Sequence, residues 1–269
     1  MDVAMDGRFF DMSGLAGKSV LVAMSGGVDS AVAALLLKEA GLRVTGLTMK
    51  NYCYGDADVP DRSCCSLEAI DDARRECDRL GIAHRVADVE ELFTREVIGD
   101  FLSEYENART PNPCVRCNSI VRFRTLIDYA DKLGIDFVAT GHYSRVFETP
   151  SGRRYLARAL HRGKDQSYFL SGVHGDTLGR LLFPLGDYDK GAVRRRAEDA
   201  GMPVAMKEES QEVCFVPEGT LESFLAASRV SASPGHIENV GGEVVGTHDG
   251  LAPYTVGQRR RRDGTESAR

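Results

Sequence analysis

The stretch Ser25-Gly26-Gly27-Val28-Asp29-Ser30 lies between two apolar runs of different kinds. Before it, Val20-Leu21-Val22-Ala23-Met24 is short and continuous, which predicts a buried strand. After it, Ala31 to Lys38 is rich in Ala and Leu and predicts a helix. Paired glycines between them let the backbone bend sharply. A strand that turns directly into a helix presents free N–H groups and the positive end of the helix dipole at one point, which is a cradle for an anion. An ordinary strand–turn–helix is the competing reading.

The alternation continues. Val44 to Met49 predicts a second strand, His84 to Val89 a third and Asp136 to Thr140 a fourth. Between them, Cys65 to Leu80 carries Leu67, Ile70, Ala73, Cys77 and Leu80 at helical spacing, with Gly81 as its stop. Ser119 to Leu133 predicts another helix, ended by Gly134. This order implies an α/β fold, a doubly wound parallel sheet with helices on both faces and its ligand at the C-terminal strand ends. Two connections are long for a compact fold, Asn51 to Ser63 and Glu106 to Asn118. Later come a hairpin around Pro150-Ser151-Gly152, a helix near Lys190 to Ala200 and a short helix at Leu221 to Ala227. Short strands with glycine turns follow from Gly235, so a small β-containing domain is expected from 221 onward. The expected division is a tail at 1–17, a catalytic domain at 18–220 and an incomplete central domain at 221–269.

The glycine turn is not the phosphate loop of kinases and GTPases, which needs G-x-x-x-x-G-K-S/T. No lysine follows the glycines here. The string instead resembles the SGGxDS pyrophosphate loop of enzymes that split ATP at the α-phosphate. Composition fits a soluble globular chain, with 42% hydrophobic and 28% charged residues. No apolar run approaches the ~20 residues that span a bilayer. Met1 to Lys18 has three aspartates and no apolar core, so it does not read as a signal peptide. A cytoplasmic location is the expectation, with no membrane partner. The net charge of −6 excludes a generally basic coat, but Asn107 to Arg124 holds four arginines and no acid. Local basic surface is what backbone binding to nucleic acid needs.

Seven cysteines in such a chain call for chemistry or burial rather than a disulfide framework. Cys114-Val115-Arg116-Cys117 is a C-x-x-C beside two prolines, and Cys214 lies in a second loop. A structural zinc wants four ligands, and no second C-x-x-C exists. Burial suits Cys77 on its helix face. Reactive thiols, lowered by neighbours such as Arg116, are the third reading; one would carry a persulfide and the other resolve it.

Further strings are Gly46-Leu47-Thr48-Met49-Lys50-Asn51-Tyr52, Arg109 to Asn118, Ala139-Thr140-Gly141-His142-Tyr143, Lys164-Asp165-Gln166-Ser167-Tyr168-Phe169-Leu170, Cys214-Phe215 and Tyr254 to Arg259. Together they resemble the tRNA-specific 2-thiouridylases, which place sulfur on the wobble uridine of certain tRNAs. The resemblance covers roughly Lys18 to Arg259. It implies that Ala23, Met24, Ser25, Gly26, Gly27, Val28, Asp29 and Ser30 hold the ATP phosphates, with Asp29 aiding adenylation, and that Met49 and Gly141 flank the adenine. Cys117 would be the nucleophile and Cys214 the persulfide carrier. Asn112, Pro113 and Cys114 would meet the target uridine, and His142, Lys164, Asp165 and Gln166 the tRNA.

The implied cofactors are ATP and Mg²⁺; the implied partners are the tRNA anticodon loop and a sulfur donor protein or sulfide source. Cys114, Cys117 and Cys214 would alternatively ligate a 4Fe–4S cluster with one open iron. A nitrogen-delivering synthetase with the same loop, or a nucleotide-binding remnant without turnover, are the rivals. The family continues into a C-terminal β-barrel, whereas Arg259 to Arg269 has no apolar periodicity, so a truncated chain with weakened thiolation is expected.

Overall fold

The computed structural model describes residues 8–9, 12, 14–51, 67–207, 213–216, 221–228, 233–251 and 254. The elements in order are β1 (Arg8–Phe9), β2 (Ser19–Ala23), α1 (Val28–Glu39), β3 (Arg43–Lys50), α2 (Leu67–Leu80), β4 (Ala83–Asp88), α3 (Glu90–Phe93) and α4 (Gly99–Glu106). Then come α5 (Pro113–Arg116), α6 (Phe123–Leu133), β5 (Phe137–Ala139), β6 (Ser144–Glu148), β7 (Arg154–Arg158), β8 (Leu181–Leu182), α7 (Lys190–Asp199), α8 (Leu221–Ala227), β9 (Gly235–Glu238) and β10 (Val244–His248). Most of the connection Asn51 to Ser63, Cys64 and Cys65, and the end from Thr255 onward lie outside the described residues.

Five strands form one parallel sheet in the order β4-β3-β2-β5-β8. The centre is β2, whose Val20, Leu21 and Val22 are fully buried. Strand alternation sends Val20 and Val22 to one face and Leu21 to the other. The first face packs on α1, α2 and α7 through Ala33, Leu37, Cys77 and Val193. The second packs on the helices between Glu90 and Leu133 through Phe93, Phe101, Val121 and Leu126. Two cores on two faces are why the central strand is apolar throughout. At the N-terminal ends of the two strands, Ser19 and Asp136 tie β2 to β5. The Ser19 N–H and Oγ–H both donate to Asp136 Oδ2, at 2.8 and 2.7 Å. Around this sheet sit an antiparallel sheet β1-β6-β7 and a hairpin β9–β10.

Three expectations need correction. Within the N-terminal tail, Arg8 and Phe9 form a strand beside Glu148 and Phe147, with the Arg145 guanidinium 3.8 Å above the Phe9 ring. The connection Glu106 to Asn118 is helical from Pro113, because proline suits the first helical position and Asn112 caps it. The parallel sheet has a fifth strand, β8, which the sequence reading did not assign. Glu90 to Glu106 is helical as well, with Phe93, Val97, Phe101 and Tyr105 recurring every fourth residue on its buried side. This segment contains a π turn, Thr94–Ile98, packed against a second one, Cys117–Arg122.

The strand order reverses at β2 and β5, so their C-terminal ends open a crevice. Two glycines let the chain close around it. Gly26 has φ +70°, and a Cβ there would lie 2.4 Å from the Ala69 carbonyl oxygen. Gly141, just past β5, lies against the first turn of α1; a Cβ would stand 2.8 Å from the Asp29 carbonyl carbon and 2.9 Å from the Ser30 nitrogen.

Gly141→Ala is therefore expected to lower stability by about 2 kcal/mol, read from urea unfolding; parental stability would mean that the two segments tolerate separation. A second test concerns Glu76, which is 2% exposed with Oε2 unpartnered. Burial holds its carboxyl above the ordinary glutamate range, against the opposing pull of Arg79. A raised acid favours the folded state at low pH and loses that contribution as pH climbs past the unfolded value. Glu76→Gln should flatten this slope and gain about 1 kcal/mol at pH 8, with a smaller gain at pH 5. Equal gains at both pH values would contradict the assignment.

Candidate functional site

The loop from Ser25 to Ser30 is tied to itself. The Ser30 hydroxyl accepts from the Ser25 N–H at 3.2 Å and donates to the Gly27 carbonyl at 2.9 Å. Its role is to hold the turn. Gly27 caps α1 without a side-chain hydrogen bond. The first-turn N–H groups are left for another acceptor, which favours an anion at this point. Ala23, Met24, Ser25, Asp29, Ser30, Met49 and Gly141 line one cleft at the strand ends. Gly26, Gly27 and Val28 form the turn behind it. His142 and Gln166, expected on the RNA side, line the same cleft. So do Asn51, Arg122 and Thr140, which sequence reasoning did not single out for a role.

Asp29 does not stand open to a metal. Its Oδ1 accepts from the Tyr143 hydroxyl at 2.7 Å, and the Lys190 ammonium lies 2.8 and 2.9 Å from its two oxygens. Lys190 is 14% exposed at the start of α7, where Asp189 caps the helix by accepting from the Ala192 N–H. The loop that lacks a lysine in sequence thus receives one from 161 residues away. His142 is equally committed. Its Nδ1 lies 2.8 Å from Thr140 Oγ1, and Arg122 Nη1 faces its Nε2 at 3.4 Å. Enclosure, with the Arg122 charge, pushes the imidazole down to about 3, so the ring is neutral at ordinary pH. Gln166 exchanges two hydrogen bonds with the Tyr143 backbone. Asp165 accepts from the Ala159 N–H and the Ser167 hydroxyl, fixing the turn that carries half-buried Lys164.

The C-x-x-C sits at a helix start. The Asn112 side chain accepts from the Val115 N–H at 3.1 Å and donates to the Tyr168 hydroxyl at 3.3 Å. Pro113 is buried, Cys114 is exposed and Cys117 is buried at the head of the second π turn. Arg116, named above as a thiol neighbour, pairs with the acids of the preceding helix. It reaches back to the Glu96 carbonyl at 3.1 Å and to the Glu96 and Asp100 carboxylates. Arg122 is at the tail of the same π turn, five residues on, and joins the cysteine helix to the cleft. Cys214 is half-buried beside Phe215, which inserts edge-on between Phe93 and Phe101. Cys117 and Cys214 border this one apolar cluster. Cys77 is wholly buried with its thiol pushed up to about 12 by burial and by Asp78, as suits packing.

Among the described residues no group of three or more His, Cys, Asp or Glu side chains is placed to hold a metal ion. Cys114, Cys117 and Cys214 do not come together as such a group.

Residues 18–218 match the family model described as the tRNA methyl transferase HUP domain, and residues 222–261 match the corresponding PRC-barrel domain. The tRNA-specific 2-thiouridylase of Pelotomaculum thermopropionicum is 48% identical over 90% of this chain and 67% of its own length. That of Chloroflexus aurantiacus is 48% identical over 90% of this chain and 68% of its own, and that of Leptospira biflexa 45% over 90% and 64%. The chain thus spans about two thirds of the length of these relatives, just under it in the last case. Among solved structures, a 4-thiouridine synthetase in complex with RNA and ATP aligns at TM-score 0.48 and 16% identity, over 78% of this chain and 50% of that one, a likeness too remote to bear on function. On the extent and identity of the sequence matches, this chain belongs to the tRNA-specific 2-thiouridylase family.

Proposed function

We propose that the chain catalyses ATP-dependent 2-thiolation of the wobble uridine of tRNA. The observation that carries this reading is the shared π turn. Cys117 opens it and Arg122 closes it in the wall of the anion-receptive cleft, so thiol and nucleotide sites belong to one element. We take 18–220 as the catalytic unit and 221–269 as part of a second domain.

Mg²⁺ accompanying ATP would supply positive charge against the leaving pyrophosphate. The N–H groups at the start of α1, with Lys190 and Arg122, hold the phosphates. Uridine O2 attacks the α-phosphorus; the O2–P bond forms and the bond to the β-phosphate breaks. Negative charge grows on phosphate oxygens during this step, where fixed N–H donors and cations stabilise it most. Asp29 acts through Lys190, whose ammonium it positions. A persulfide on Cys214 then attacks C2 with its terminal sulfur, and AMP departs. The Cys117 thiolate attacks the Cys214 sulfur, the S–S pair moves onto the transferred sulfur, and a Cys117–Cys214 disulfide remains to be reduced. The uridine comes from a single-stranded loop, where leaving the stack is cheap. Tyr168, 63% exposed and hydrogen-bonded to Asn112, offers a stacking face beside Cys114. No described helix is long and apolar enough to cross a membrane.

Mass spectrometry of tRNA nucleosides after incubation with ATP, Mg²⁺, a persulfide donor to load Cys214 and a thiol reductant to reopen the disulfide tests the reading. Cys117→Ser and Cys214→Ser are each expected to lower thiolation roughly 100-fold or more while leaving ATP binding intact. A nitrogen-delivering synthetase would keep its turnover in both variants. Lys190→Met should slow tRNA-dependent pyrophosphate release roughly 10- to 100-fold. Asp29→Asn in the same background should add little, because the pair acts as a unit. Full additivity of the two substitutions would separate their roles.

A further inference from the structure

Asn51 follows the last residue of β3 and is 5% exposed, and among the described residues its buried Oδ1 has no hydrogen-bond partner. A buried carbonyl left without a donor costs about 1–3 kcal/mol, so native proteins seldom leave one. Asn51 also lines the cleft that holds the pyrophosphate loop. Its neighbours fix where it points. Lys50 turns to the other side, to Asp88 and Glu90 at 3.1 and 3.2 Å, and the Val89 N–H donates to the Lys50 carbonyl at 3.0 Å. Met49 and Asn51, two residues apart on extended chain, then share the cleft side. Among the described residues, no group donates to this amide oxygen.

We infer that Asn51 is a specificity residue that accepts a hydrogen bond from the nucleoside half of the bound nucleotide. This rests on the nucleotide reading above. Phosphates held at the start of α1 lie over the end of β2. Adjacent strands are about 4.8 Å apart, so a nucleotide extending toward β3 brings its nucleoside to Met49 and Asn51. The groups there that donate are the 6-amino group of adenine and the ribose hydroxyls. An unpaired carbonyl rewards a ligand that carries the donor and penalises one that lacks it, since only the former relieves its desolvation.

Binding of ATP, purine riboside triphosphate (which lacks the amine), 2′-deoxy-ATP and 3′-deoxy-ATP to the full chain tests this by calorimetry. The parent is expected to bind ATP about tenfold more tightly than whichever analogue lacks the donor, the worth of one hydrogen bond. Asn51→Leu should bind ATP as weakly as that analogue and lose the discrimination, while inorganic tripolyphosphate binds as before. Asn51→Asp, which keeps an acceptor, should retain the ratio even if its absolute affinity falls. Discrimination unchanged in Asn51→Leu, or a parent that treats all four nucleotides alike, overturns the assignment. A parent that binds no nucleotide at all overturns the nucleotide reading instead.

Discussion

Three distant parts of the chain meet at the Asp29 carboxylate. Tyr143 arrives from just before β6, Lys190 from the head of α7, and Asp29 itself from the first turn of α1. An acid in that turn already suits the positive end of the helix dipole. Adding a cation from α7 places positive charge in front of a loop that otherwise offers only N–H groups. The pair is one-third and one-seventh exposed, so solvent screens it only in part. Removing either partner would leave a partly buried charge uncompensated, a more severe change than losing the pair together.

The remaining architecture can be understood as holding this meeting point steady. Ser19 and Asp136 lock β2 to β5 at the far end of the sheet, while Gly141 lets β5 approach α1 at the near end. Apolar cores on both faces leave the central strand no freedom to shift. The cysteine helix rests on the second core, whose aromatic cluster also anchors Cys214 through Phe215. The glycine loop is thus supported mainly by one face and the cysteines by the other, with the strand ends as common ground.

Local features were legible in the residues. Continuous apolar runs marked β2 and β3, glycine marked the ends of α2 and α6, and the Ser25–Ser30 string marked the cleft. Pairings across long sequence separation were not. Nothing near Lys190 announces Asp29, and a polar residue such as Asn51 gives no sign in sequence of whether its amide will find a partner. Two-residue β8 is too short to carry a period, and exists because β5 supplies its hydrogen bonds. The pairing of Arg116 with Glu96, 20 residues away, has no local signal either. Asp29 is marked in sequence by the loop string, while its partners Tyr143 and Lys190 emerge only from the fold.

The stacked π turns have a bearing on how such a site tolerates change. A π turn carries one residue more than the α-helical turn it replaces. Each residue of an α-helix advances by about 100°. Deleting one residue between Cys117 and Arg122 would restore α geometry and swing everything upstream through that angle relative to α6. Leu126 and Ala130 would stay in the core, while Cys114 and Cys117 would face elsewhere. The thiols' aim is therefore set by a count of residues rather than by the packing of the helix that bears them. Sequence length in this turn is under stricter constraint than sequence identity, and insertions or deletions there would be expected to silence the site without unfolding the protein.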